Sequence, residues 1–229
     1  MDSPKTERTV HCEDALSWLE RTPVLTGSSL VASMPDISEF PKFTLQQWKD
    51  WFTSAAELIL SRAPDSGVVV FYQSDIKVDG VWVDKGHLCQ VAAEHTGHSL
   101  LWHKIVCRVK PGQSTFGRPA YSHMVCFSKD ARADPAKATP DVIPDIGDKT
   151  WERGMGLEAC VMIARFIKEQ TASHTIVNPF CGQGSMLAVA NAVGLSAVGI
   201  ERSPKRAECA RALEVDLRER RWITSANTQ

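Results

Sequence analysis

The stretch NPFCGQGSMLAVANAVG, residues 178–194, decides the fold. A β-rich HTIVN run leads into it and an apolar, helix-forming run closes it, so the pattern predicts a strand, a glycine turn and a helix. Gly182 and Gly184 let the backbone approach a ligand closely and leave N–H groups at the helix start free to bind it. The sequence therefore predicts a loop for a nucleotide-type ligand, although this loop lies close to the end of the 229-residue chain.

An acidic residue, Glu201, ends the next predicted strand, AVGIE. An acidic side chain in that place can accept hydrogen bonds from both hydroxyls of a ribose. A dinucleotide and S-adenosylmethionine both fit this arrangement. A dinucleotide fingerprint would have a third glycine where Leu187 stands, and the NPF ahead of the loop is foreign to it. A dinucleotide-dependent oxidoreductase is therefore the weaker alternative.

Strands and helices alternate along almost the whole chain, as in GVVVFYQ followed by DKGHLCQVAAEH. Such alternation favours an α/β fold with a mostly parallel sheet and helices on both faces. The segments LLWHKIVCRV and YSHMVCFS have no helix between them, and they predict an antiparallel pair at one edge of the sheet. Helices are also predicted over residues 45–63 and 204–220. Residues 129–149, rich in Pro, Ala and Asp, predict a mobile loop.

The composition predicts a soluble protein with a sizeable core. Apolar residues make up 43% of the chain and the formal charge is -1, which argues against an overall cationic coat for nucleic acid. The seven cysteines form no CxxC pair, so we expect reduced thiols, no zinc site and no other metal centre. The sequence shows no apolar signal core and no stretch of membrane-span length, so we expect a cytoplasmic protein without a membrane partner.

The stretch NPFCGQGSMLAVANAVGLSAVGIE resembles the DPFxGxG…GIE region of S-adenosylmethionine-dependent methyltransferases of the amino-methylating DNA type and of their RNA relatives. The resemblance implies a Rossmann-like class I methyltransferase fold with S-adenosylmethionine as its cofactor. Glu201 would hold the ribose of that cofactor. Its methionine part would be held by Asn178, which replaces the usual Asp of the family, and by Pro179, Phe180, Cys181, Gly182, Gly184 and Ser185.

Many members of that family are circularly permuted, with the catalytic half ahead of the cofactor loop. The resemblance implies this order here, and it extends from Val10 to about Arg211. It implies one domain over residues 1–229, with a catalytic half over about 10–130, the mobile loop over about 129–149 and the cofactor-loop half over about 150–222. CEDALSWL resembles the family's GDxLxxL segment, which implies a position near the adenine ring for Asp14. An Asp there can equally serve as a helix cap.

The segment SMPD, residues 33–36, resembles the family's catalytic motif [DNS]PP[YFW]. In the family the polar residue and a backbone carbonyl hold a target amine, and the aromatic residue stacks on the base. Here Met34 replaces the first Pro and Asp36 replaces the aromatic residue. We assign Ser33, Pro35 and Asp36 to catalysis and Met34 to cofactor contact. Asp36 would contact the polar edge of a base or act as a general base; the alternative is an exposed Asp in a turn.

A polar cluster follows the predicted strand GVVVFYQ and continues through residues 104–132, which hold six Lys or Arg residues and one acid. Basic side chains can hold phosphates and aromatic rings can stack on unpaired bases, but a basic cluster can also be plain solvated surface. The substrate-binding candidates are Asp75, Lys77, Lys104, Arg108, Arg118 and Tyr121. Asp36 with Lys77 or Lys104 could also form a pair for methylation of a hydroxyl. We interpret His103 and His123 as structural.

These observations predict an S-adenosylmethionine-dependent RNA methyltransferase that acts on tRNA. We prefer RNA because duplex-reading family members usually carry an added recognition segment, for which this chain has little room. One alternative is a DNA amino-methyltransferase acting on cytosine or adenine. Another is a non-catalytic cofactor-binding subunit of a modifying complex, which the altered SMPD segment keeps open. The oligomeric state is not defined by the sequence.

Overall fold

A central sheet of eight strands organises the chain, and the computed structural model describes residues 6–223. The strands of residues 6–223 are β1 (Arg8–His11), β2 (Ser28–Ala32), β3 (Val69–Gln73), β4 (Ile76–Val78), β5 (Val81–Val83), β6 (Ser99–Cys107), β7 (Tyr121–Ser128), β8 (Val142–Ile143), β9 (Thr175–Asn178), β10 (Ser196–Ile200), β11 (Glu214–Asp216) and β12 (Arg221–Ile223). The pairs β4–β5 and β11–β12 lie outside the central sheet. The helices are α1 (Ala15–Arg21), α2 (Leu45–Arg62), α3 (Lys85–His95), α4 (Leu157–Gln170), α5 (Ser185–Ala192) and α6 (Pro204–Ala212).

The strands of the sheet stand in the order β1-β10-β9-β2-β3-β7-β6-β8. Strands β1, β10, β9, β2 and β3 are parallel, and β7 runs antiparallel to both β3 and β6. All five residues of β2 and of β3 are buried, as expected for central parallel strands with helices on both faces. The predicted α/β sheet and the antiparallel pair β6–β7 are confirmed. The two-residue strand β8 pairs with β6 and forms the edge of the sheet, so the β6–β7 pair lies one strand away from the edge where it was predicted.

The connectivity is that of a permuted doubly wound sheet. When the strands are counted from β9, the series β9, β10, β1, β2 and β3 takes the spatial order 3-2-1-4-5 of that fold. The helix that would join β10 to β1 is α6, whose end lies beside the start of β1. Arg8 in β1 donates hydrogen bonds to the carbonyls of Ala210, Arg211 and Leu213, and the Arg211 guanidinium donates to the Val10 carbonyl at 2.9 Å. Hydrogen bonds thus join the two segments where a chain of unpermuted order would be continuous.

Helices cover both faces of the sheet. Helices α1, α2 and α3 pack on one face, and α4, α5 and α6 on the other. In α2 the apolar residues recur at helical spacing, so Trp48, Phe52 and Ile59 all point into the core. Thr44 and Gln47 form a capping box that starts α2 at Leu45, as the sequence predicted. None of the helices in residues 6–223 has the length and apolar character needed to cross a membrane.

Two predicted segments differ from the structure. The helix predicted over residues 204–220 ends at Ala212 and is followed by the hairpin β11–β12, because Trp222 is buried in the core and its Nε1 donates to the Asp148 carbonyl at 3.0 Å. Residues 129–149 contain a short 3-10 turn and β8. The Lys104 ammonium ties this segment to the sheet by donating to the carbonyls of Thr139 and Pro140. The mobility of this segment stays a prediction.

We expect Arg8→Met to destabilise the fold by about 1–3 kcal/mol, because it removes charge-assisted hydrogen bonds to the carbonyls that end α6. Urea unfolding followed by circular dichroism measures this free energy. The matched control is Arg21→Met, which removes an exposed ion pair with Glu13 and should cost less than about 1 kcal/mol. Equal effects of the two substitutions would show that Arg8 does not hold α6 to β1.

Candidate functional site

A cleft of about 570 Å³ opens at the carboxyl ends of the five parallel strands. Open α/β sheets bind their ligands at this edge. Most of the predicted site residues line the cleft: Asp14, Ser33, Met34, Pro35, Asp36, Asp75, Lys77, Arg108, Arg118, Asn178, Pro179, Phe180, Cys181, Gly182, Ser185 and Glu201. The other predicted residues, Gly184, Lys104 and Tyr121, lie outside its lining.

The glycine loop connects β9 to α5 and forms one wall of the cleft. The Asn178 side-chain oxygen accepts a hydrogen bond from the Phe180 N–H at 3.1 Å, which turns the chain directly after β9. Gly182 and Gly184 both have positive φ angles, of 55° and 87°. A Cβ atom on Gly184 would lie 2.7 Å from the Cα atom of Ala210, so this glycine lets α6 pack against the loop. Gly182, in contrast, faces the cleft.

Cys181 is buried under the glycine loop. Burial, with the nearby Glu201 charge as a second cause, raises the pKa of its thiol to about 12. The thiol is therefore protonated at neutral pH and is a packing group rather than a nucleophile.

Glu201 lies at the end of β10 with only 8% of its surface exposed. Its Oε1 atom accepts from the Ser203 N–H at 2.7 Å and from Arg206 at 2.8 and 2.9 Å. Its Oε2 atom has no hydrogen-bond partner among residues 6–223. One oxygen is thus fixed by the protein, and the other is available to hydroxyl groups of a ligand.

Trp151 and Arg206 cover the glycine loop, and the sequence analysis missed both. The Arg206 guanidinium lies 5.5 Å from the Trp151 ring centroid while it pairs with Glu201. The Trp151 ring is 3.3 Å from the position of a Cβ atom on Gly182. The hydroxyl oxygen of Thr150, the residue before Trp151, lies 3.1 Å from the hydroxyl oxygen of Ser185. The segment before α4 therefore completes the wall of the cleft around the loop.

Asp14 caps helix α1, where its Oδ1 accepts from the Ser17 N–H at 3.0 Å. The helix-cap interpretation is confirmed. Its exposed carboxylate also lines the cleft. Contact with an adenine ring stays a prediction.

The segment 33–36 leaves β2 at the middle of the cleft. Met34 is buried between α1, α2 and the sheet, which limits how much of it a ligand can touch. Asp36 precedes a 3-10 turn, Ile37–Glu39, but its side chain does not cap that turn. Among residues 6–223 its carboxylate forms no hydrogen bond or ion pair. Asp36 is thus a half-buried carboxylate in the cleft wall that the fold does not use.

Lys85 is a functional candidate that the sequence analysis missed. It is the first residue of α3, lines the cleft and is 4% exposed. Its ammonium is 5.8 Å from the Phe52 ring centroid and has no hydrogen bond or ion pair within residues 6–223. Burial lowers the pKa of Lys85, and the charges of Asp36 and Asp75 act in the opposite direction. DKG at a helix start was the available signal, but only packing places this lysine in the cleft that Asp36 also lines.

Asp75 is held by a chain of polar groups, of which Asp75 and His123 are buried. Its carboxylate accepts from the Lys85 main-chain N–H at 2.9 Å and from His123 Nε2 at 3.0 Å. His123 Nδ1 is in turn 2.9 Å from His103 Nε2. Burial opposes the charge on Asp75, but these hydrogen bonds outweigh it and lower its pKa. The structure thus agrees with the interpretation of both histidines as satisfied groups. Asp75, Asp84 and His123 lie close enough together to hold a metal ion, and the hydrogen bonds of His123 account for this proximity.

The other two predicted lysines have different surroundings. Lys77 lines the cleft, and its ammonium lies 5.5 Å from the ring centroid of Trp82 on the hairpin β4–β5. Lys104 is buried outside the cleft, where its ammonium donates to two carbonyls and to Asp141 at 3.1 Å. Lys77 and Lys85 thus line the cleft together with Asp36, and Lys104 does not.

A positive rim borders the cleft, formed by Arg108, Arg118 and Lys149. Partial burial lowers the pKa of Lys149, and the neighbouring charges of the two arginines contribute in the same direction. Arg118 pairs with Glu152 at 3.5 Å. Phe116, on the same loop, is 97% exposed. The rim thus combines cations with an exposed aromatic ring, while Tyr121 packs edge-on against His123 instead.

No protein-family model matches the sequence, and no curated protein is detectably similar to it. Solved structures similar to the chain include PvuII DNA methyltransferase (cytosine-N4-specific), with a TM-score of 0.72 and 14% identity over 94% of this chain and 90% of that one. The putative DNA modification methylase TTHA0409 from Thermus thermophilus, complexed with S-adenosyl-L-methionine, has a TM-score of 0.69 and 18% identity over 89% and 91%. The M1.HpyAVI–SAM complex has a TM-score of 0.60 and 12% identity over 89% and 98%. The class I methyltransferase fold is therefore confirmed.

We expect Lys85→Met to raise the melting temperature at neutral pH, by about 2–4 °C for each kcal/mol of desolvation cost that it removes. Because burial lowers the pKa of Lys85, the folded protein binds this proton more weakly than the unfolded chain. The cost is complete below the folded pKa and vanishes above the ordinary value of 10.5. The gain should therefore shrink as the pH rises toward that value.

Differential scanning calorimetry between pH 7 and about pH 10 measures this dependence. Lys49→Met is the matched control, because it removes a partly exposed lysine of α2 outside the cleft and should leave the melting temperature unchanged. A lower melting temperature for Lys85→Met at neutral pH would mean that the ammonium stabilises the fold.

Proposed function

We propose that this chain is an S-adenosylmethionine-dependent methyltransferase that acts on a base of a nucleic acid. The observation that carries the proposal is the meeting, in one cleft, of the glycine loop with Glu201 and of the segment 33–36. The methyltransferase fold supports it, and two of the similar structures are named as complexes with this cofactor. Neither the glycine loop nor Asp36 would suffice alone, because transfer requires a cofactor and an acceptor side by side.

The residues of the glycine loop fit S-adenosylmethionine. A side chain at Gly182 would fill the wall beside Trp151, so the glycine keeps that space open. The unpartnered Oε2 atom of Glu201 matches a ribose hydroxyl, and the Asn178 amide offers a polar group for the methionine part. When bound, the cofactor supplies an activated methyl group.

The chain itself would supply position and a proton acceptor. A target amine that attacks the methyl carbon forms an N–C bond as the S–C bond breaks, and it then loses a proton. The Asp36 carboxylate can accept a hydrogen bond from that amine and take up the proton. Holding the two reacting groups in line is the largest contribution such a site can make.

We propose DNA as the substrate in preference to RNA. The similar structures are named as DNA methylases, and this chain covers 90% or more of two of them. The length of this chain therefore no longer favours tRNA over DNA, because proteins named as DNA methylases have a comparable length. The positive rim and the exposed Phe116 suit either nucleic acid. RNA stays an outcome of the test below.

We expect the purified protein to transfer label from radiolabelled S-adenosylmethionine to genomic DNA, and to tRNA and rRNA at a much lower level. The nucleic acids are taken from cells that lack the gene. Label in RNA alone would overturn the choice of DNA, and nuclease digestion would name the nucleoside. Preferential binding of NAD would revive the oxidoreductase alternative.

Asp36→Ala should lower turnover by about 10²- to 10⁴-fold and leave S-adenosylmethionine affinity unchanged. Radiolabel transfer and isothermal titration calorimetry measure the two quantities. Asp50→Ala, an exposed residue of α2, is the control and should keep full turnover. If the wild-type protein binds the cofactor but transfers no label to any pool, the non-catalytic subunit becomes the better interpretation.

We expect Asn178→Asp to tighten S-adenosylmethionine binding roughly fivefold, as for an ion pair worth about 1 kcal/mol. The carboxylate can still accept from the Phe180 N–H, and it adds a negative charge for the ammonium of the methionine part. Methylthioadenosine, which lacks that ammonium, should bind both proteins equally in the calorimeter. An equal change for both ligands would place Asn178 away from the methionine part.

A further inference from the structure

The end of β3 carries a second set of polar groups that the fold leaves unused. Gln73 is 1% exposed, and its side-chain oxygen has no hydrogen-bond partner within residues 6–223. Its amide nitrogen reaches only the Ala32 carbonyl, at 3.5 Å. Gln73 lines the cleft together with Lys85, whose ammonium is also unpartnered. A buried, unpaired acceptor and the ammonium of a mostly buried lysine thus line the same cleft.

Such groups are costly to leave unpaired. Most buried polar atoms in proteins have a partner, and each that lacks one costs free energy because it has lost its water. A ligand that enters the cleft and bonds to Gln73 and Lys85 would remove that cost. The unpaired groups therefore point to a polar molecule that this wall accommodates.

The topology fixes where this wall lies. Strand β2 stands between β9, which carries the glycine loop, and β3, which carries Gln73. Val69 and Phe71 pack toward α2 and α3, and the two-residue period of a strand turns Gln73 to the same side, where Lys85 begins α3. Asp36 follows β2 and lies between the two walls. The unused groups are therefore beside the candidate cofactor wall and separate from it.

We propose that Asp36, Gln73 and Lys85 form a pocket that reads the hydrogen-bonding edge of the target base. This inference rests on the proposed function. Lys85 donates to a ring nitrogen, and the oxygens of Asp36 and Gln73 accept from the neighbouring exocyclic amine. Asp75 is a positioning residue, since it binds the Lys85 main-chain N–H and His123 and so fixes the start of α3.

The pocket explains the chemistry of the segment 33–36. Cytosine presents its N4 amine beside the N3 acceptor, and adenine presents its N6 amine beside N1. Guanine and thymine present a carbonyl oxygen where these bases carry the amine, so they would face Asp36 with an acceptor. Charged and polar side chains thus take the place of the aromatic residue in the family's motif, and they select cytosine or adenine over guanine and thymine.

The test combines Lys85→Met with deletion of the acceptor atom from the base. Random-sequence duplex DNA is made with cytosine or 3-deazacytosine, and separately with adenine or 1-deazaadenine. Fluorescence anisotropy measures the dissociation constant, and radiolabel transfer measures kcat/KM. Any effect of an analogue on base pairing is common to both proteins and cancels in the ratio.

For one of the two bases, we expect the analogue to lower kcat/KM of the wild-type protein about 10- to 100-fold. Lys85→Met should show a similar loss on the natural base and little further loss on the analogue. Lys49→Met should behave as the wild type. Gln73→Met, a second variant that keeps the volume of the side chain, should also lose activity on the natural base.

The outcomes separate this inference from the proposed function. If the analogue lowers kcat/KM by the same factor in the wild type and in Lys85→Met while methyl transfer still occurs, the pocket is overturned and the proposed function stands. S-adenosylmethionine binding without any binding of DNA overturns the pocket and the choice of substrate. The absence of both S-adenosylmethionine binding and DNA binding overturns the proposed function as well. An unchanged kcat/KM in Lys85→Met removes the lysine from the site.

Discussion

The parallel pairing of β9, β2 and β3 is the constraint on which the rest of the structure depends. Parallel strands end at the same edge, so each strand-end loop is delivered to one cleft. The loop after β9 supplies the glycines, the loop after β2 supplies Asp36, and β3 ends at Gln73. Because each strand is buried on both faces, a shift of register would cost core packing, and the loops are held in place by the core.

The permutation follows from the same constraint. The strand order depends on which strands pair, and the chain can start between any two of them if the ends meet. Here Arg8 and Arg211 make hydrogen bonds that join β1 to α6. A chain of unpermuted order would have a covalent connection at this place. The segments that carry β1, β2 and β3 can therefore precede the glycine loop without any change in the cleft.

The cleft contains polar side chains that the fold leaves without a partner within residues 6–223. Asp75 and His123 are examples of satisfied buried groups, since Asp75 accepts from His123, which in turn pairs with His103. Gln73 and Lys85 line the cleft, and within residues 6–223 the Gln73 side-chain oxygen and the Lys85 ammonium have no hydrogen-bond partner. The satisfied groups hold the wall rigid, and the unsatisfied ones face the space where a ligand can pair with them. A wall of this kind is preorganised, since the polar groups need not move when a partner arrives.

The sequence by itself determined what depends on neighbours along the chain. The glycine turn, the helix cap of Asp14 and the start of α2 follow from local backbone chemistry, and strand and helix alternation gives the sheet. Glu201 could be found because it lies a fixed number of residues after the loop. The termination of α6 at Ala212 could not, because the burial of Trp222 against another part of the chain decides it.

Only the tertiary structure decided which side chains share the cleft. The sequence offers Lys77 and Lys104 as partners for Asp36 and gives no role to Lys85, which lies in a predicted helix. The packing of α3 on α2 brings Lys85 into the cleft that Asp36 lines, while Asp141 binds Lys104 outside the cleft. The physical reason is that core packing brings together residues that are distant along the chain. A local sequence pattern does not show which of these residues will meet.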